Sequence, residues 1–350
     1  MRFWRHSLYT KTSLKHSLII LLTVASSAAG AEKVVIAHRG ASGYLPEHTL
    51  AAKVLAYGMG ADFLEQDLVL TSDDVPVVLH DVYLEAVTDV QNKFPGRVRE
   101  DGHFYVVDFS LVEVKSLLVS ERVHRKTGEP IFENRFPGGH SSYQIPTFAE
   151  EIELIQSLNR STGRAVGIYT EIKSPAWHRT QGKDISKAVL EILDRYGYND
   201  ATSNAFLQCF DRDELRRIRF VLHAEIKLVQ LLGASEADST TRTHLADIAT
   251  YAQGIGPYIG LLVKPLNLAE KNSRETGPVI TELTRDAHDI GLIVHPYTFR
   301  ADYLPSYANG FESLLSLFFD RIGVDGIFTD HPDQVRSFLD DVDDLSSNRH

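Results

Sequence analysis

Short apolar runs and longer mixed stretches alternate along most of the chain, and this pattern predicts strands that are followed by helices. The predicted strands cover residues 33–37, 63–70, 75–79, 165–169, 205–209, 227–231, 292–295 and 326–329, with a doubtful strand near residues 254–263. The predicted helices cover residues 50–56, 147–158, 185–196, 213–221, 245–251, 281–289, 311–321 and 334–339. Thr49 is placed to cap the first helix, and Thr147 with Glu150 forms a capping box for the second.

Repeated alternation of strands and helices favours a parallel sheet that is buried beneath helices. Eight such units close into a (β/α)8 or TIM barrel, which is the fold that we predict for residues 32–345. An open doubly wound sheet is the alternative, although no glycine-rich dinucleotide motif follows the first strand. Residues 82–146 interrupt the alternation, and we interpret them as a small subdomain inserted after the second strand unit, or as long loops.

The first 31 residues differ in composition from the rest of the chain. Basic residues precede an apolar run at 18–25, small residues follow at 26–31, and no acidic residue occurs before Glu32. This order is typical of a cleaved secretory signal peptide, and the apolar run is shorter than the roughly 20 residues that span a bilayer. A disordered tail is the alternative. We therefore expect export without a stable membrane anchor, since this segment has no cysteine for lipid attachment.

The overall composition is that of a globular protein, with 43% hydrophobic and 24% charged residues. A net charge of −11 argues against nucleic acid as a partner, because binding to a phosphate backbone needs a basic surface. A small anionic ester is still compatible, since local cations can dominate one cleft. The single cysteine, Cys209, excludes an intrachain disulfide and is expected to be a buried, unreactive thiol. The sequence indicates no oligomeric state.

Acidic residues occur at the ends of two predicted strands. Glu65 and Asp67 are two residues apart, so their side chains project from the same face of a strand. Two such carboxylates on a buried strand favour a hard cation such as Ca²⁺ or Mg²⁺, or they are solvated acids at an exposed strand end. Glu171 completes a three-carboxylate site if its strand ends beside them, whereas the alternative is a surface ion pair with Lys173.

Histidines and basic residues follow predicted strands in the same way. His38 and His80 can take up and return a proton near neutral pH, although a lone histidine at a strand end is commonly structural. Arg39 carries a planar guanidinium that suits a phosphoryl group, and Lys173 offers a compact positive charge. Together with the acidic residues, this set suits metal-assisted cleavage of a phosphoester.

These motifs resemble the sequence blocks of the glycerophosphodiester phosphodiesterases. The matching blocks are residues 35–49, 64–67, 78–81, 169–173, 207–211, 294–298 and 328–330, so the resemblance spans about residues 33–340. It is greatest to the bacterial periplasmic branch, which carries an insertion after the His-Asp motif. His48 stands where many members have asparagine, and Thr170 stands where a proline is common, but neither change removes a reactive group.

The resemblance implies a TIM barrel with a small inserted domain and a periplasmic location. It implies hydrolysis of glycerophosphodiesters, such as glycerophosphocholine and glycerophosphoethanolamine, to sn-glycerol 3-phosphate and an alcohol. One divalent cation is implied, usually Ca²⁺ in periplasmic members and Mg²⁺ elsewhere in the family. No partner other than this small-molecule substrate is implied.

The resemblance also assigns roles by position. Glu65, Asp67 and Glu171 would bind the metal, His38 and His80 would be the general acid and base, and Arg39 and Lys173 would neutralise the phosphate. Glu47, Gln208 and His295 are expected to surround this centre without reacting.

Two other functions stay open at the level of sequence. A phospholipase D-like enzyme acting on lysophospholipids or sphingomyelin would benefit from an exposed apolar rim, and residues 82–146 contain no long apolar run. A non-catalytic binding protein would need no pair of histidines. Within the phosphodiesterase reaction, direct attack by water and attack by the glycerol hydroxyl through a cyclic phosphate both fit, and either histidine could act first.

Overall fold

The computed structural model describes Met1 and residues 33–136, 141–236, 240–264 and 278–347. The chain divides into two compact units, residues 1–31 and residues 32–350. The predicted signal peptide lies outside the described residues, except for Met1, and the structure below is that of the second unit. Within the described residues, every helix is too short or too polar to span a lipid bilayer.

The second unit is a barrel of eight parallel strands. The described strands, of which β3, β8 and β9 are not among the eight of the barrel, are in chain order β1 (Val34–Ala37), β2 (Phe63–Leu70), β3 (Pro76–Val78), β4 (Gly167–Ile172), β5 (Ala205–Cys209), β6 (Lys227–Leu232), β7 (Gly254–Pro257), β8 (Val263–Lys264), β9 (Val279–Ile280), β10 (Ile293–Val294) and β11 (Gly326–Thr329). Neighbouring strands pair in the order β10-β7-β6-β5-β4-β2-β1-β11, while β3 pairs with β2 and β8 pairs with β9, both antiparallel. Backbone hydrogen bonds from Asp325 N to Val294 O (3.1 Å) and from Phe328 N to Pro296 O (3.0 Å) bring the two ends of the sheet together. The predicted barrel fold is therefore confirmed.

Helices connect successive barrel strands. They are α1 (Leu50–Gly58), α2 (Val90–Lys93), α3 (Leu111–Lys115), α4 (Phe148–Thr162), α5 (Pro175–Thr180), α6 (Ile185–Arg195), α7 (Arg212–Phe220), α8 (Arg242–Ile248), α9 (Leu283–His288), α10 (Phe311–Ser316) and α11 (Pro332–Ser347), and a π-helical turn (Leu317–Ile322) extends α10. The Thr49 side chain accepts a hydrogen bond from Ala52 N at the start of α1, and Thr147 and Glu150 form the predicted capping box of α4.

One strand prediction needs correction and one doubtful strand is confirmed. The segment predicted at 75–79 is a strand but not a barrel strand, because β3 folds back antiparallel on the end of β2. The doubtful strand near residues 254–263 is the barrel strand β7. β7 looks like a poor strand because it contains two glycines, and the packing explains them: a Cβ atom on Gly254 would lie 2.5 Å from Ile293 Cγ1, and one on Gly256 would lie 2.6 Å from Leu231 Cδ2.

Three groups of buried apolar side chains stabilise this unit. The largest lies between the strands and the surrounding helices, as expected for a sheet buried beneath helices. A second group belongs mostly to residues 82–119, and it includes Leu84, Val90, Phe109 and Leu117. The segment between β3 and α4 therefore has apolar packing of its own. The third group consists of barrel-strand residues, namely Ile36, Phe63, Tyr169, Phe206, Val229 and Phe328.

Candidate active site

The alternation of side chains along the barrel strands places the candidate residues on one strand face. Side chains two residues apart share a strand face, and each of the following polar residues lies two positions after a member of the third buried group. The pairs are Ile36 and His38, Phe63 and Glu65, Tyr169 and Glu171, Phe206 and Gln208, and Phe328 and Asp330. Aromatic and aliphatic side chains thus fill the barrel interior, and the polar side chains lie one step further on, at the carboxyl ends of the strands, where the sites of such barrels are found.

A cavity of about 710 Å³ opens at these strand ends. Among the residues that line it are all seven that were predicted to act directly, namely His38, Arg39, Glu65, Asp67, His80, Glu171 and Lys173. Gln208 lines it as well, whereas Glu47 lines an adjoining cavity of about 480 Å³. His295 lines neither cavity; it is 3% exposed, and its Nδ1 lies 3.1 Å from the Tyr169 hydroxyl inside the barrel.

Three carboxylates form a compact buried cluster. Ligand oxygens of Glu65, Asp67 and Glu171 all lie within 4.8 Å of one another. Glu65 accepts hydrogen bonds from Arg39 N (2.8 Å) and Gln208 Nε2 (3.2 Å), while Lys173 Nζ lies 2.7 Å from Glu171 Oε1. Among the described residues, the buried Asp67 Oδ1 accepts no hydrogen bond, and Lys173 Nζ lies 3.7 Å from it.

The electrostatics of the cluster depend on where protons are held. Burial, together with the Asp67 charge, raises the pKa of Glu65 well above its usual range, and burial raises the pKa of Glu171 to about 7 against the effect of Lys173. The pKa of Asp67 is lowered instead, because Lys173 and the His48 hydrogen bond outweigh its burial. Three crowded carboxylates with a free oxygen, and no soft ligand among them, fit a hard divalent cation.

His48 belongs to this cluster, although its role was not predicted. Its Nε2 donates to Asp67 Oδ2 at 2.7 Å, and the side chain is 3% exposed. Burial lowers the pKa of His48 to about 3, so the imidazole is neutral and fixes one Asp67 oxygen as a hydrogen-bond acceptor. The other oxygen is left to face the remaining carboxylates. This residue was noticed in the sequence only as a departure from the usual asparagine.

The loop after β1 brings Arg39 over the same cluster. Arg39 has a left-handed backbone (φ 60°), and Gly40 follows with φ 86°. A Cβ atom on Gly40 would lie 2.8 Å from the Ala52 carbonyl carbon, so this tight turn onto α1 requires glycine. The Arg39 guanidinium pairs with Glu47 at 3.0 Å, and its buried Nε lies 3.4 Å from Asp67 Oδ2. The guanidinium therefore lies directly beside the carboxylate cluster.

His38 is held by a carboxylate from the last barrel strand. Its Nδ1 lies 2.6 Å from Asp330 Oδ1, and Asp330 also accepts from Arg135 Nη2 (2.8 Å) and Arg300 Nε (2.7 Å). Burial and the Arg39 charge lower the pKa of His38 to about 4, against the effect of Asp330. The neutral ring carries its proton on Nδ1, which faces the ionised Asp330, and its Nε2 is free to accept a proton.

His80 has the same arrangement on the other side of the site. Its Nδ1 lies 2.6 Å from Asp81 Oδ1, and the second oxygen of Asp81 accepts from Arg122 Nη1 at 2.6 Å. Burial and the charges of Arg39 and Lys173 lower the pKa of His80 to about 4. Two neutral imidazoles, each oriented by a carboxylate, can therefore take up and return protons in one cavity.

Several residues of the site were not assigned from the sequence. Asp81 directly follows His80, and Asp330 ends a predicted strand, so both carried a local signal. Arg122 carried none, because it lies in the insertion and reaches the site only through its ion pairs with Glu47 and Asp81, both at 2.6 Å.

A parallel barrel with acids, bases and cations at its carboxyl-terminal strand ends defines an enzyme of the TIM-barrel class. The sequence model of the glycerophosphoryl diester phosphodiesterase family matches residues 38–334. The chain is 40% identical over 340 residues to a glycerophosphodiester phosphodiesterase from Haemophilus influenzae, covering 90% of this chain and 92% of that protein. It is 35% identical to the enzyme of that name from Treponema pallidum, covering 88% of this chain and 92% of that protein.

A solved structure shows the same fold. A phosphodiesterase from Oleispira antarctica, in complex with the product sn-glycerol-3-phosphate, is 22% identical with a TM-score of 0.60, covering 88% of this chain and 96% of that chain. The family match and the two close relatives extend over most of the chain. This chain therefore belongs to the glycerophosphoryl diester phosphodiesterase family and is a phosphodiesterase, which confirms the resemblance noted in its sequence.

Proposed function

We propose that this enzyme hydrolyses glycerophosphodiesters, such as glycerophosphocholine and glycerophosphoethanolamine, to sn-glycerol 3-phosphate and an alcohol. One observation carries the proposal: two imidazoles, each oriented by its own carboxylate, line the same cavity as a cluster of three buried carboxylates. The names of the relatives support this substrate class, and so does the product bound to the protein from Oleispira antarctica.

Glu65, Asp67 and Glu171 would hold one divalent cation, with Ca²⁺ favoured over Mg²⁺ by the resemblance to periplasmic members. Asp67 Oδ1 supports this assignment, since among the described residues this buried oxygen accepts no hydrogen bond and Lys173 Nζ, at 3.7 Å, is beyond hydrogen-bond distance. When bound, the cation stabilises negative charge on the phosphoryl oxygens and makes a neighbouring hydroxyl more acidic.

The two histidines would transfer the protons. One neutral imidazole accepts the proton of the attacking hydroxyl at Nε2, and the other ring, in its protonated form, returns a proton to the oxygen of the departing alcohol. Attack by water gives glycerol 3-phosphate directly, whereas attack by the glycerol hydroxyl gives a cyclic phosphate that water then opens with the roles of the histidines reversed. The phosphodiester anion favours the imidazolium form of a nearby ring, so that one histidine can carry a proton in the complex. Asp330 and Asp81 hold the two rings by Nδ1 and stabilise each imidazolium when it forms. The nearly equal surroundings are compatible with either histidine as the first base.

Arg39 and Lys173 would bind the phosphate. Arg39 Nε lies 3.4 Å from Asp67 Oδ2, and Lys173 Nζ lies 2.7 Å from Glu171 and 3.7 Å from Asp67. Both basic side chains therefore lie at the edge of the carboxylate cluster, where they could bind a phosphoryl oxygen next to the proposed metal site. Each has further N–H donors besides those that form its ion pair.

The test is glycerol 3-phosphate release from glycerophosphocholine by the purified protein, as prepared, after EDTA, and after Ca²⁺ or Mg²⁺ is added back. We expect activity to be lost with EDTA and restored by one ion. His38→Ala and His80→Ala should each lower kcat by about 10²–10⁴-fold with the fold intact. His124→Ala, which removes an exposed histidine, is the matched control. Unchanged turnover in His38→Ala would remove its assignment, whereas no release by the folded wild-type protein under any metal condition would favour a binding protein.

A second substrate class is favoured by one specific observation. The main cavity is lined on its outer side by exposed aromatic side chains: Phe210 and Tyr258 are each 42% exposed, and Tyr303 is 71% exposed. Such a rim can accept an acyl chain, as a lysophospholipid substrate would require. Lysophosphatidylcholine is therefore included in the same assay, and faster turnover of it than of glycerophosphocholine would reverse the ranking.

We also propose that the protein is exported to the periplasm. The support is the order of basic, apolar and small residues in the first 31 positions. Sequencing the amino terminus of protein recovered from the periplasmic fraction tests this, with cleavage near Ala29 or Ala31 expected and an intact Met1 contradicting it.

A further inference from the structure

The cavity of about 480 Å³ adjoins the main cavity but has a different lining. Both are lined by His38, Arg39 and His80, so both border the place where phosphorus would lie. The smaller cavity is not lined by Glu65, Asp67 or Glu171, and part of its lining comes from the inserted segment, including Glu121 and Phe132. A phosphodiester has two substituents on phosphorus. Two cavities that meet at the two histidines can therefore hold one substituent each.

The proposed function decides which substituent enters which cavity. If the glycerol hydroxyl next to the phosphate is activated at the carboxylate cluster, the glycerol occupies the main cavity. The alcohol that departs then occupies the smaller cavity, beside the insertion. The residues that line the smaller cavity should consequently determine which leaving alcohols the enzyme prefers.

The guanidinium groups of the smaller cavity are already paired. Arg122 lies 2.6 Å from both Glu47 and Asp81, and Arg39 lies 3.0 Å from Glu47. Arg135 lies 2.8 Å from both Asp330 and Asp302, and Arg300 lies 2.7 Å from Asp330. The cavity is thus lined by four positive groups whose charges are compensated by carboxylates in direct contact.

Glu121 differs from the other carboxylates of this cavity. It is 4% exposed, and its Oε2 is a buried atom that accepts no hydrogen bond in the described part of the chain. It also forms no ion pair among the described side chains. A buried carboxylate oxygen without a partner is costly, and a positively charged group entering the cavity would relieve that cost.

We propose that the smaller cavity is the subsite for the alcohol that leaves, and that Glu121 selects a cationic head group, an ammonium or a trimethylammonium. This rests on the proposed function. A primary ammonium would donate to Glu121 Oε2, and a quaternary ammonium would pair with it by charge alone. Neutral alcohols such as glycerol would enter the same cavity without this gain.

The experiment compares three substrates that share glycerol 3-phosphate and differ only in the alcohol. The full chain with Ca²⁺ or Mg²⁺, whichever ion supports turnover, is assayed with glycerophosphoethanolamine, glycerophosphocholine and glycerophosphoglycerol. In Glu121→Gln, kcat/KM should fall about tenfold or more for the two cationic substrates and stay within about twofold for glycerophosphoglycerol. Burial, with the nearby Glu47 charge, raises the pKa of Glu121 to about 7, so assays at pH 8 keep the wild-type carboxylate charged.

Glu133→Gln is the matched control, because it makes the same change at an exposed position of the same segment. It should leave all three kcat/KM values unchanged. An equal loss on all three substrates in Glu121→Gln would place Glu121 beside the glycerol and overturn the proposal, and so would no loss on any. A wild-type protein that releases glycerol 3-phosphate from none of them would instead refute the proposed function itself.

Discussion

At the scale of single residues, the site depends on how its two imidazoles are oriented. The Nδ1–H of each ring donates a hydrogen bond to a carboxylate at 2.6 Å, which is Asp330 for His38 and Asp81 for His80. The carboxylate selects the tautomer with a free Nε2 and stabilises the protonated ring. Asp81 does not itself line the main cavity but contacts His80, which does, so it acts through His80 as a positioning residue.

We expect Asp81→Asn to lower kcat at least about tenfold with little change in KM, because an amide can hold the wrong tautomer and cannot stabilise an imidazolium. The limb of the pH–rate profile that belongs to His80 should move to lower pH, since the Asp81 carboxylate raises the pKa of this ring. Steady-state kinetics across pH measures both effects.

Asp108→Asn is the control for this prediction. Asp108 lies in the inserted segment, pairs with an arginine as Asp81 does, and has a similar side-chain exposure of 28% against 24% for Asp81. It should leave kcat and the profile unchanged. A parallel fall in thermal stability and kcat, without a shift of the pH limb, would instead show that Asp81 is merely structural.

At this scale, the proximity of residues that are close in sequence could be predicted from the sequence. Contacts between residues that are brought together only by folding were less predictable. Glu65 and Asp67 share a strand face at any register, so their proximity follows from alternation alone. The contact of His38 with Asp330 joins residues 292 positions apart and exists only because the barrel closes. Arg122 depends on the path of the insertion, and no periodic pattern fixes that path.

At the scale of elements, β2 is held against helices α1 and α4 by a buried ion pair. Lys53 on α1 lies 2.6 Å from Glu151 on α4, both side chains are fully buried, and Lys53 also donates to the Glu65 carbonyl oxygen. Gln66 Nε2 donates to the same Glu151 oxygen at 2.8 Å. These contacts fix the strand that carries Glu65 and Asp67 against the two helices that flank it.

Lys53→Met should destabilise the protein by about 3–5 kcal/mol, because it leaves the Glu151 carboxylate buried without a cation. Urea unfolding measures the loss. Lys53→Met combined with Glu151→Gln should recover part of it, since no buried charge is then left. Losses that simply add in the double variant would contradict this account.

Lys183→Met supplies the matched control. Lys183 also bonds one carboxylate, Asp74 at 2.7 Å, and one carbonyl oxygen, that of Ser72 at 2.9 Å. The Asp74 side chain is 67% exposed, so water replaces the lost partner. The expected cost is below about 1 kcal/mol.

The elements that sequence could not place share one physical cause. Strand β7 has the glycines of a turn, but its glycines are required by the side chains of β6 and β10, which are distant in the chain. Strand β3 has the apolar pattern of a barrel strand, yet it pairs antiparallel at the edge of β2. Both outcomes depend on neighbours that a local pattern does not contain.

At the scale of the whole molecule, stability depends on pH through two opposing sets of buried groups. Burial lowers the pKa of His38, His80 and His295 to about 4, so their contribution is present above the unfolded value of 6.5 and is lost as pH falls. Burial raises the pKa of Glu171 to about 7, so its contribution is full below its unfolded value of 4.5 and is lost as pH rises through 7. Acid therefore destabilises the protein through histidines, and mild alkali destabilises the metal-free protein through the carboxylate cluster.

A divalent cation should reverse only the second effect. Cation binding requires Glu171 and Glu65, whose pKa values are both raised, to be ionised, so protons compete with the metal more strongly at pH 6 than at pH 8. One group with a pKa of about 7 changes apparent affinity nearly tenfold across this range, which is about 1 kcal/mol of added stabilisation at saturating metal. The increase in Tm on adding Ca²⁺ should accordingly be larger at pH 8 than at pH 6, by about 2 °C. Comparing the increase at each pH cancels the histidine contributions, since His38, His48, His80 and His295 have pKa values of about 4 or below and are neutral at both pH values. Glu121→Gln removes another buried carboxyl with a pKa of about 7 outside the cluster and should leave the difference unchanged, whereas Glu171→Gln should abolish it. Equal increases at the two pH values would show that the cation does not bind at Glu171.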